Sequence, residues 1–313
     1  MIDKSKICAI VLNWKGPKQT IECVESLRVN CNVNTIIVDN DSQDDSMSVL
    51  SAYLDSLPDR SSLVATESEL KHIGTQFDYA LVSNSGNYGY AGGNNVALDY
   101  AYRAGYEYFW ILNNDVIVEA GALKALLETL ESDPDCGFAA SVLVYADRPD
   151  FVQSIGGGTN YPLLGKTKLL GKNTARSEIK SVDLNKLDYV MGASMLVSRN
   201  VIATIGLMEH RYFMYSEEID WQNRAAERGI GFKVSKNSFV RHGDSGSTKD
   251  SSHMFHFYRN RASIMYNKRF HSIPFWMISS LALSAVTIIQ NRKNLKNIRY
   301  GLKGVAQGVA FSW

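Results

Sequence analysis

The chain has 313 residues, of which 45% are apolar and 21% are charged, and its formal net charge is +1. These values are ordinary for a globular protein, and the length suits one large α/β domain with a small appendage. A near-neutral chain gives no sign of a nucleic-acid partner. The four cysteines form no Cys-x-x-Cys pair, which indicates buried thiols in a reducing compartment rather than disulfides or a zinc site.

The two ends of the chain bear on its location. The first apolar run is too short for a signal peptide, so we expect a cytoplasmic protein or one bound to the inner face of the cytoplasmic membrane. Residues 251–313 hold nine basic residues and no Asp or Glu. Within this tail, the uncharged run 275–289 is shorter than the roughly 20 residues of a spanning helix. It predicts a buried helix or a helix in a membrane interface, and the tail as a whole is either a membrane anchor or a helical cap and oligomer interface.

Apolar runs predict the strands of a mostly parallel sheet, because several of them are continuously apolar and end in polar residues. The predicted strands are 7–13, 34–39, 79–82, 108–118, 137–145, 187–197, 230–234 and 239–242. Helical spacing and capping residues predict helices at 17–29, from about 45, and at 96–104, 119–132, 217–228 and 253–270. Residues 146–186 show no clear period and predict an excursion with a hairpin.

Residues 108–118, YFWILNNDVIV, contain the central predicted strand, which stops at Asn113-Asn114-Asp115 before a second apolar run at 116–118. Asp115 therefore lies at the carboxyl end of this strand, where open α/β sheets bind ligands. A hard divalent cation that holds a diphosphate needs an oxygen ligand in such a place, and we expect Asp115 to supply it. A polar turn with no ligand is the alternative interpretation of Asn-Asn-Asp.

Two further stretches carry candidate chemistry. In NSGNYGYAGGNNVAL, residues 84–98, the glycines allow the backbone to approach a ligand, and Asn94 or Asn95 can cap the helix that follows. A plain loop with a capped helix explains the same pattern. In the helix predicted after Ser216, three acids crowd the first turn, which the helix dipole alone also favours. His242 precedes a polar turn at 243–247, and such a histidine is either structural or functional.

Taken together, these stretches resemble the inverting family 2 glycosyltransferases with a GT-A fold, and among them the rhamnosyltransferase-type enzymes of bacterial O-antigen and other cell-surface glycans. The resemblance covers roughly residues 6–270 and is carried, in order, by AIVLNWKG, IIVDNDSQDDS, NYGYAGGNN, ILNNDV, MYSEEIDWQNRAAERG and RHGDSGS. It implies an α/β fold with a Rossmann-like, mostly parallel central sheet, flanking helices and a C-terminal helical segment. We expect a catalytic domain at 1–250, with a nucleotide-binding half at 1–115 and an acceptor half at 116–250, followed by the segment 251–313.

The resemblance also implies a donor site for a nucleotide sugar. Asp39 would accept from the N3–H of uracil or thymine, and main-chain N–H groups of 87–94 would cover the ribose and diphosphate. The residues implied for donor binding are Asn13, Asp39, Asn40, Asn87, Gly89, Gly92, Gly93, Asn94 and Asn114. Residues 113–115 replace the family's Asp-x-Asp with a single acid, so Asp115 would be the strong anionic ligand of Mg²⁺ or Mn²⁺ and His242 a further ligand.

The catalytic base implied by the resemblance lies at the start of the helix near residue 217. The family pattern is Glu-Asp-x-Asp, and this chain has Glu217-Glu218-Ile219-Asp220. We rank Glu218 first as base, Asp220 second and Glu217 third. The implied reaction transfers a sugar, rhamnose first among the candidates, from a dTDP or UDP donor to a saccharide or lipid-linked saccharide, with inversion and with acceptor contacts from 146–186.

Two other functions stay open at this point. A nucleotidyltransferase shares the layered α/β pattern and a metal-binding acid, but it would carry an early glycine-rich loop with a basic residue. Residues 13–18, NWKGPK, fit that requirement poorly. A non-catalytic, membrane-attached scaffold on the same fold is the other alternative.

Overall fold

The structure, a computed structural model, describes residues 3–58, 61–243 and 252–313. Its thirteen described strands are β1 Ile7–Asn13, β2 Asn34–Asp39, β3 Ser62–Thr66, β4 Tyr79–Ser83, β5 Tyr108–Asn113, β6 Val116–Val118, β7 Cys136–Tyr145, β8 Val152–Ile155, β9 Gly157–Tyr161, β10 Lys166–Leu169, β11 Tyr189–Val190, β12 Ser194–Ser198 and β13 Gly231–His242. The described α-helices are α1 Pro17–Asn30, α2 Ser46–Asp55, α3 Glu67–Leu70, α4 Gly89–Arg103, α5 Ala122–Glu131, α6 Arg199–Ile205, α7 Glu217–Ala226, α8 His253–Phe270, α9 Ile273–Gln290 and α10 Leu295–Ala310.

The central sheet has ten strands in the order β3-β4-β2-β1-β5-β12-β7-β13-β6, with β8 paired to β7. The first five strands in this order, β3, β4, β2, β1 and β5, are parallel to one another, and β13 is parallel to β7. Strand β12 lies between β5 and β7 and is antiparallel to both. A second, antiparallel sheet joins β10, β9 and β11. The predicted α/β class, with a large and mostly parallel sheet and C-terminal helices, is therefore confirmed.

The core lies on both faces of the central sheet. Along β1, Cys8 and Ile10 belong to one buried apolar cluster, while Ile7, Ala9 and Val11 belong to the other. Side chains of a strand alternate between the two faces of a sheet, so a strand buried on both sides is apolar throughout. This explains why continuous apolar runs predicted β1, β2 and β5 with nearly correct bounds. All four cysteines are buried as free thiols, as expected.

The helix after β4 begins earlier than predicted. It starts at Gly89 instead of residue 96, so the prediction that Asn94 or Asn95 caps it is wrong. Glycine disfavours helices by propensity, but here the glycines allow close packing. A Cβ on Gly89 would stand 1.9 Å from the carbonyl oxygen of Phe213, and one on Gly93 would stand 2.5 Å from Leu12 Cδ1.

Three other predictions need correction. The strand predicted at 187–197 is two strands in different sheets, β11 and β12, with 191–193 between them. The strands predicted at 230–234 and 239–242 form one strand, β13, with a register shift between Ser235 and Phe239. The hairpin expected within 146–186 is present as β9 and β10, but the sequence patterns did not predict β3, β8, α3, α6 or α10.

The C-terminal helices pack on the α7 side of the body. Arg269 of α8 forms an ion pair with Asp220 of α7 at 2.9 Å, and the Tyr266 hydroxyl accepts a hydrogen bond from Asn223 at 2.6 Å. α10 lies close against α8, since a Cβ on Gly304 would stand 2.2 Å from the Phe257 carbonyl oxygen. The division of the chain into domains at residue 250 stays a prediction.

Candidate active site

The end of β2 is organised around the Asp39 carboxylate. Oδ1 accepts from Asn13 Nδ2 and from Ser42 Oγ, both at 2.6 Å, and Oδ2 accepts from Ser42 N at 3.1 Å. Asn13 is itself held, because its Oδ1 accepts from Thr20 Oγ1 at 2.7 Å. Asn13 is fully buried and positions Asp39, while Oδ2 of Asp39 keeps the acceptor capacity that a nucleobase would use.

The start of α4 lies next to this carboxylate and is built from side chains that bond one another. Asn40 donates to Asn87 Oδ1 and to the Gly89 carbonyl, each at 3.1 Å, and accepts from Tyr88 N at 3.1 Å. Gly89 N donates to Asn87 Oδ1 at 2.9 Å. Asn87 is exposed, whereas Asn40, Gly89, Gly92, Gly93 and Asn94 are buried. Contact of these residues with a donor stays a prediction.

Asp115 and His242 meet across the sheet, as the sequence predicted for a metal site. The distance from Asp115 Oδ1 to His242 Nε2 is 3.2 Å, because β13 ends beside the start of β6. Gln153 Oε1 lies 2.6 Å from His242 Nδ1. An amide oxygen only accepts, so Nδ1 carries a proton, and in a neutral imidazole Nε2 would then present its lone pair toward Asp115.

This arrangement fits a divalent cation. A carboxylate oxygen and the Nε2 of a neutral imidazole are both acceptors, and here the two atoms lie 3.2 Å apart. A cation bound by both would satisfy them, and Gln153 would supply the outer hydrogen bond that metal-binding histidines require. In the part of the chain that the structure describes, no group of three or more His, Cys, Asp or Glu could hold a metal. A diphosphate and water would have to complete the coordination.

Asn114 follows directly after β5 and contacts residues at the start of α1. Its Nδ2 lies 3.2 Å from Thr20 Oγ1 and 3.4 Å from the Gly16 carbonyl oxygen. It therefore ties the end of β5 to the start of α1. The polar turn predicted at 243–247 lies outside the described residues, apart from Gly243, whose N–H donates to the Asp115 carbonyl at 3.1 Å.

Glu218 faces the strand interruption at 191–193. Its Oε1 accepts a hydrogen bond from Gly192 N at 2.7 Å. Burial raises the pKa of Glu218 to about 7, although the hydrogen bond from Gly192 acts in the opposite direction and lowers this pKa. A Cβ on Gly192 would stand 2.0 Å from the Tyr90 hydroxyl and 2.4 Å from Glu218 Oε1. The Tyr90 hydroxyl is buried and has no hydrogen-bond partner in the part of the chain that the structure describes. A carboxylate with a pKa near neutrality suits a general base.

Glu217 is more deeply enclosed than its neighbour. Among the described residues, its Oε2 is buried without a hydrogen-bond partner, and burial together with the charge of Glu218 raises its pKa to about 8. Repulsion between the two carboxylates favours a state in which one of them keeps its proton, and the deeper burial of Glu217 favours Glu217 as the protonated one. Ser216 stands at the N-cap position of α7, but its backbone is left-handed and its side chain makes no capping hydrogen bond.

Asp220 is a structural anchor in this arrangement. It is fully buried, and its two oxygens bond Arg224 at 2.7 Å, Arg269 at 2.9 Å and the Tyr212 hydroxyl at 3.0 Å. Both carboxylate oxygens are therefore occupied by donors from within the protein. This geometry does not fit its second rank as catalytic base.

The interruption at 191–193 joins the two halves of the site. Gly192 N–H donates to Glu218, and the next carbonyl, that of Ala193, accepts from Asn113 N at 3.1 Å. Asn113 is two residues before Asp115. The first-ranked base and the predicted cation ligands therefore lie on either side of one tripeptide.

Some residues at this edge carried no clear signal in the sequence. Trp14, just after β1, is 42% exposed, and Lys15 Nζ lies 5.2 Å from its ring centroid. Gln153 and Tyr90 reach the site only through the packing of β8 and α4. Left-handed backbone at non-glycine residues, which concentrates at functional sites, occurs here at Lys15, Asp41, Gln43, Phe213, Tyr215 and Ser216.

The fold and this edge define an α/β protein whose ligand site lies at the carboxyl ends of parallel strands, with a carboxylate–imidazole pair and a buried basic carboxylate. The profile of the family described as "Glycosyl transferase family 2" matches residues 8–206. The chain belongs to this family. The family-level resemblance of the sequence is thereby confirmed.

Relatives with known sequences are distant. The chain is 26% identical over 167 residues to the low-salt glycan biosynthesis hexosyltransferase Agl10 of Haloferax volcanii, which covers 53% of this chain and 52% of that protein. It therefore spans about half the length of this relative. Uncharacterised proteins of Mycobacterium bovis and Mycobacterium tuberculosis are 24% identical over 225 residues, 63% of this chain and 76% of theirs.

Two solved structures share the fold. One is a mannosyltransferase, PcManGT, from Pyrobaculum calidifontis in complex with GDP-Man and Mn²⁺. It has a TM-score of 0.54 and 13% identity over 98% of this chain and 86% of that chain. The other is S. aureus TarS 1-349, with a TM-score of 0.53 and 13% identity over 97% and 81% of the two chains.

The enclosure of Glu217 predicts a pH-dependent stability. Its pKa is raised from 4.5 to about 8 in the folded state, so the folded protein holds this proton more tightly than the unfolded chain. The associated stability is full below about pH 4.5 and is lost as pH rises through 8. Relative to wild type, Glu217→Gln should therefore gain melting temperature as pH rises from about 4.5 to 8. The gain should be several times the roughly 2–4 °C that 1 kcal/mol is worth, because each pKa unit corresponds to about 1.4 kcal/mol.

The control for this measurement is Glu22→Gln, which changes an exposed carboxylate on α1. Its melting temperature should follow that of the wild type at every pH. A Glu217→Gln variant whose difference from wild type is the same at both pH limits would show that Glu217 is not protonated in the folded protein.

Proposed function

We propose that this protein is an inverting glycosyltransferase that moves a sugar from a nucleoside-diphosphate donor to an acceptor hydroxyl. The observation that carries the proposal is the placement of Glu218 and the Asp115–His242 pair on either side of 191–193. Family membership supports sugar transfer, and the Haloferax relative is a hexosyltransferase. The P. calidifontis structure, which holds GDP-Man and Mn²⁺, supports a nucleotide-sugar donor and a divalent cation.

In the proposed reaction, Glu218 acts on the acceptor hydroxyl. Its carboxylate takes the proton of the acceptor hydroxyl as that oxygen attacks the anomeric carbon. The new bond joins the acceptor oxygen to the sugar, and the bond from the anomeric carbon to the diphosphate oxygen breaks. One displacement inverts the anomeric configuration. Burial of Glu218 helps, because it makes the carboxylate basic enough to accept the proton near neutral pH.

In the proposed reaction, residues at the carboxyl ends of β1, β2 and β5 bind the donor. Asp39, held by Asn13 and Ser42, would accept from the base, and Trp14 offers an exposed ring on which a base could stack. Asp115 and His242 would hold Mg²⁺ or Mn²⁺. When bound, this cation neutralises charge on the leaving diphosphate.

The finer identity of the substrates belongs to this proposal as well. Rhamnose on dTDP is the first donor to test, with UDP donors next, because the motifs resemble the rhamnosyltransferase-type branch. The acceptor would be a saccharide or lipid-linked saccharide of a cell-surface glycan. Contacts from the small sheet β10-β9-β11 would select it, because this sheet abuts Met191 through the bond of Met191 N to the Gly156 carbonyl at 2.8 Å.

A ligand panel tests the class of function. Thermal shifts are measured with dTDP, UDP, GDP and ATP, each with and without Mn²⁺. We expect a nucleoside diphosphate to stabilise the protein more with the cation than without it, since ligand binding to the folded state raises stability. A shift with ATP alone would favour the nucleotidyltransferase alternative, and no shift with any nucleotide would favour a non-catalytic scaffold.

Glu218→Gln should lose turnover but keep donor binding. Removing a general base lowers the rate by about 10²–10⁴, while the amide keeps the size of the side chain. In the wild type, the rate should rise with pH to about 7 and then level, because Glu218 acts in its ionised form. The measurement is sugar transfer against pH beside nucleotide thermal shifts, with Glu22→Gln as control. A variant that transfers sugar at a near-normal rate would remove Glu218 as base.

Asp115→Ala should abolish the effect of the cation on donor binding. The variant removes the carboxylate that lies next to His242 among the described residues, so Mn²⁺ should no longer tighten the binding of nucleoside diphosphate. The measurement is calorimetric titration of nucleotide with and without Mn²⁺, and Asp55→Ala, at an exposed position of α2, is the control. Cation-dependent affinity that survives in Asp115→Ala would exclude Asp115 as ligand.

A further inference from the structure

The helix α9 presents polar side chains to the protein. Its three buried residues are Ser279, Leu283 and Thr287, which follow one another at intervals of four. Ser279 Oγ accepts from Asn267 Nδ2 at 2.7 Å, and Thr287 Oγ1 accepts from Asn260 Nδ2 at 2.8 Å. Helices of globular proteins normally bury an apolar stripe. Of the two alternatives predicted for 275–289, the buried helix therefore does not agree with the structure.

The opposite face of α9 is apolar and exposed. Ile273 is 66% exposed, Leu281 74% and Ile289 69%, and Met277, Ile278 and Ile288 lie between them at helical spacing. We call these six residues the apolar face. Contact of such a stripe with water is unfavourable, and contiguous exposed apolar surface of this kind marks an interaction site. The inverted polarity of α9 thus indicates that something apolar covers it.

Basic residues continue from the end of α9. Arg292 and Lys293 follow the helix, and Lys296, Arg299 and Lys303 lie on one side of α10 at intervals of three and four. We call these five the basic strip. All are exposed, and none has an ion pair among the residues that the structure describes. Residues 251–313 contain no acid that could neutralise them.

We propose that the apolar face and the basic strip dock on an anionic lipid bilayer. An amphipathic helix binds a membrane interface by burying its apolar side while flanking Lys and Arg attract anionic head groups. A second copy of this chain fits less well. Pairing two apolar faces would leave both basic strips without a counter-charge from residues 251–313, which contain no carboxylate.

The geometry of α9 favours lying on the bilayer over crossing it. Among the described helices it alone has the length and composition of a membrane span. Its 18 residues cover only about 27 Å, less than a hydrocarbon core of about 30 Å. Ser279 and Thr287 are bonded to α8 along one side, which keeps that side against the protein.

The same surface reaches the acceptor side of the protein. Ser279 Oγ donates to the Leu163 carbonyl at 3.0 Å, in the turn between β9 and β10. Leu163 and Tyr161 of this hairpin are exposed beside α9. A docked α9 would therefore hold the small sheet at the lipid surface, where it could contact a lipid-linked acceptor. This role in acceptor binding rests on the proposed function. Docking of α9 on the bilayer does not depend on catalysis.

The experiment is co-sedimentation of the full chain with vesicles of phosphatidylcholine, alone or mixed with phosphatidylglycerol, at low and high salt. We expect binding to the anionic vesicles, weak binding to the neutral ones, and weakening by salt because exposed charges are screened. The protein alone should be a monomer in sedimentation velocity. No binding to anionic vesicles at low salt would overturn the proposal.

Two variants separate the two parts of the surface. Ile278→Ser with Leu281→Ser should lower partitioning at least about tenfold, since two apolar side chains no longer enter the lipid. Lys293→Gln with Lys296→Gln should lower it roughly twentyfold on anionic vesicles only, at about fivefold per charge. The matched controls are Val29→Ser for the apolar change and Lys71→Gln with Lys172→Gln for the charge change, all at exposed positions elsewhere.

The outcomes distinguish the occupants. A stable dimer that Ile278→Ser with Leu281→Ser converts to a monomer would make a second copy the occupant and overturn the proposal. Equal binding by the variants and their controls would also overturn it. Nucleotide thermal shifts measured on the same samples report folding and the proposed donor site, so a failed membrane test and a failed function test are read separately.

Discussion

The hydrogen bond from Gly192 N–H to Glu218 is the constraint on which the site depends. It fixes the carboxylate at a break between β11 and β12, and the neighbouring Ala193 carbonyl holds Asn113 at the end of β5. Only glycine is compatible with this bond, because a Cβ would meet both Glu218 and Tyr90. The bond also restrains the pKa of Glu218, which burial alone would raise further. One main-chain donor therefore sets the position and the basicity of a carboxylate at once.

The sheet was predictable wherever burial alone decides the pattern. β1, β2 and β5 are covered on both faces, and their apolar runs gave bounds close to those observed. The errors arose where tertiary contacts override local preference. Glycines at the start of α4 suit a loop by propensity, yet packing on Phe213 and Leu12 keeps them helical. Residues 191–193 lie within the predicted strand 187–197, but their main chain bonds Glu218 and Asn113 instead of continuing the ladder.

The candidate site also combines local features with contacts between distant parts of the chain. The resemblance assigned Asp115 and His242 to one metal site, and the structure brings the two side chains together. Gln153 was not predictable, because it reaches His242 only through the pairing of β8 with β7. The sequence alone does not show whether Asp220 or Glu218 is the better candidate for the base. Arg269, the ion-pair partner of Asp220, is 49 residues away in the sequence, so only the fold shows that Asp220 forms this ion pair.

That ion pair joins the C-terminal segment to the helix that carries the proposed base. Arg269 is the next-to-last residue of α8, two residues separate α8 from α9, and Asp220 lies two residues after Glu218 on α7. Breaking a buried ion pair leaves an uncompensated charge and is costly, so this contact resists the separation of α8 from α7. If α9 rests on a bilayer, the ion pair then helps to hold the proposed base at a fixed height above the lipid surface. A fixed height suits an acceptor whose hydroxyl is presented at a set distance from its lipid anchor, whereas a freely diffusing acceptor would place no such requirement on the fold.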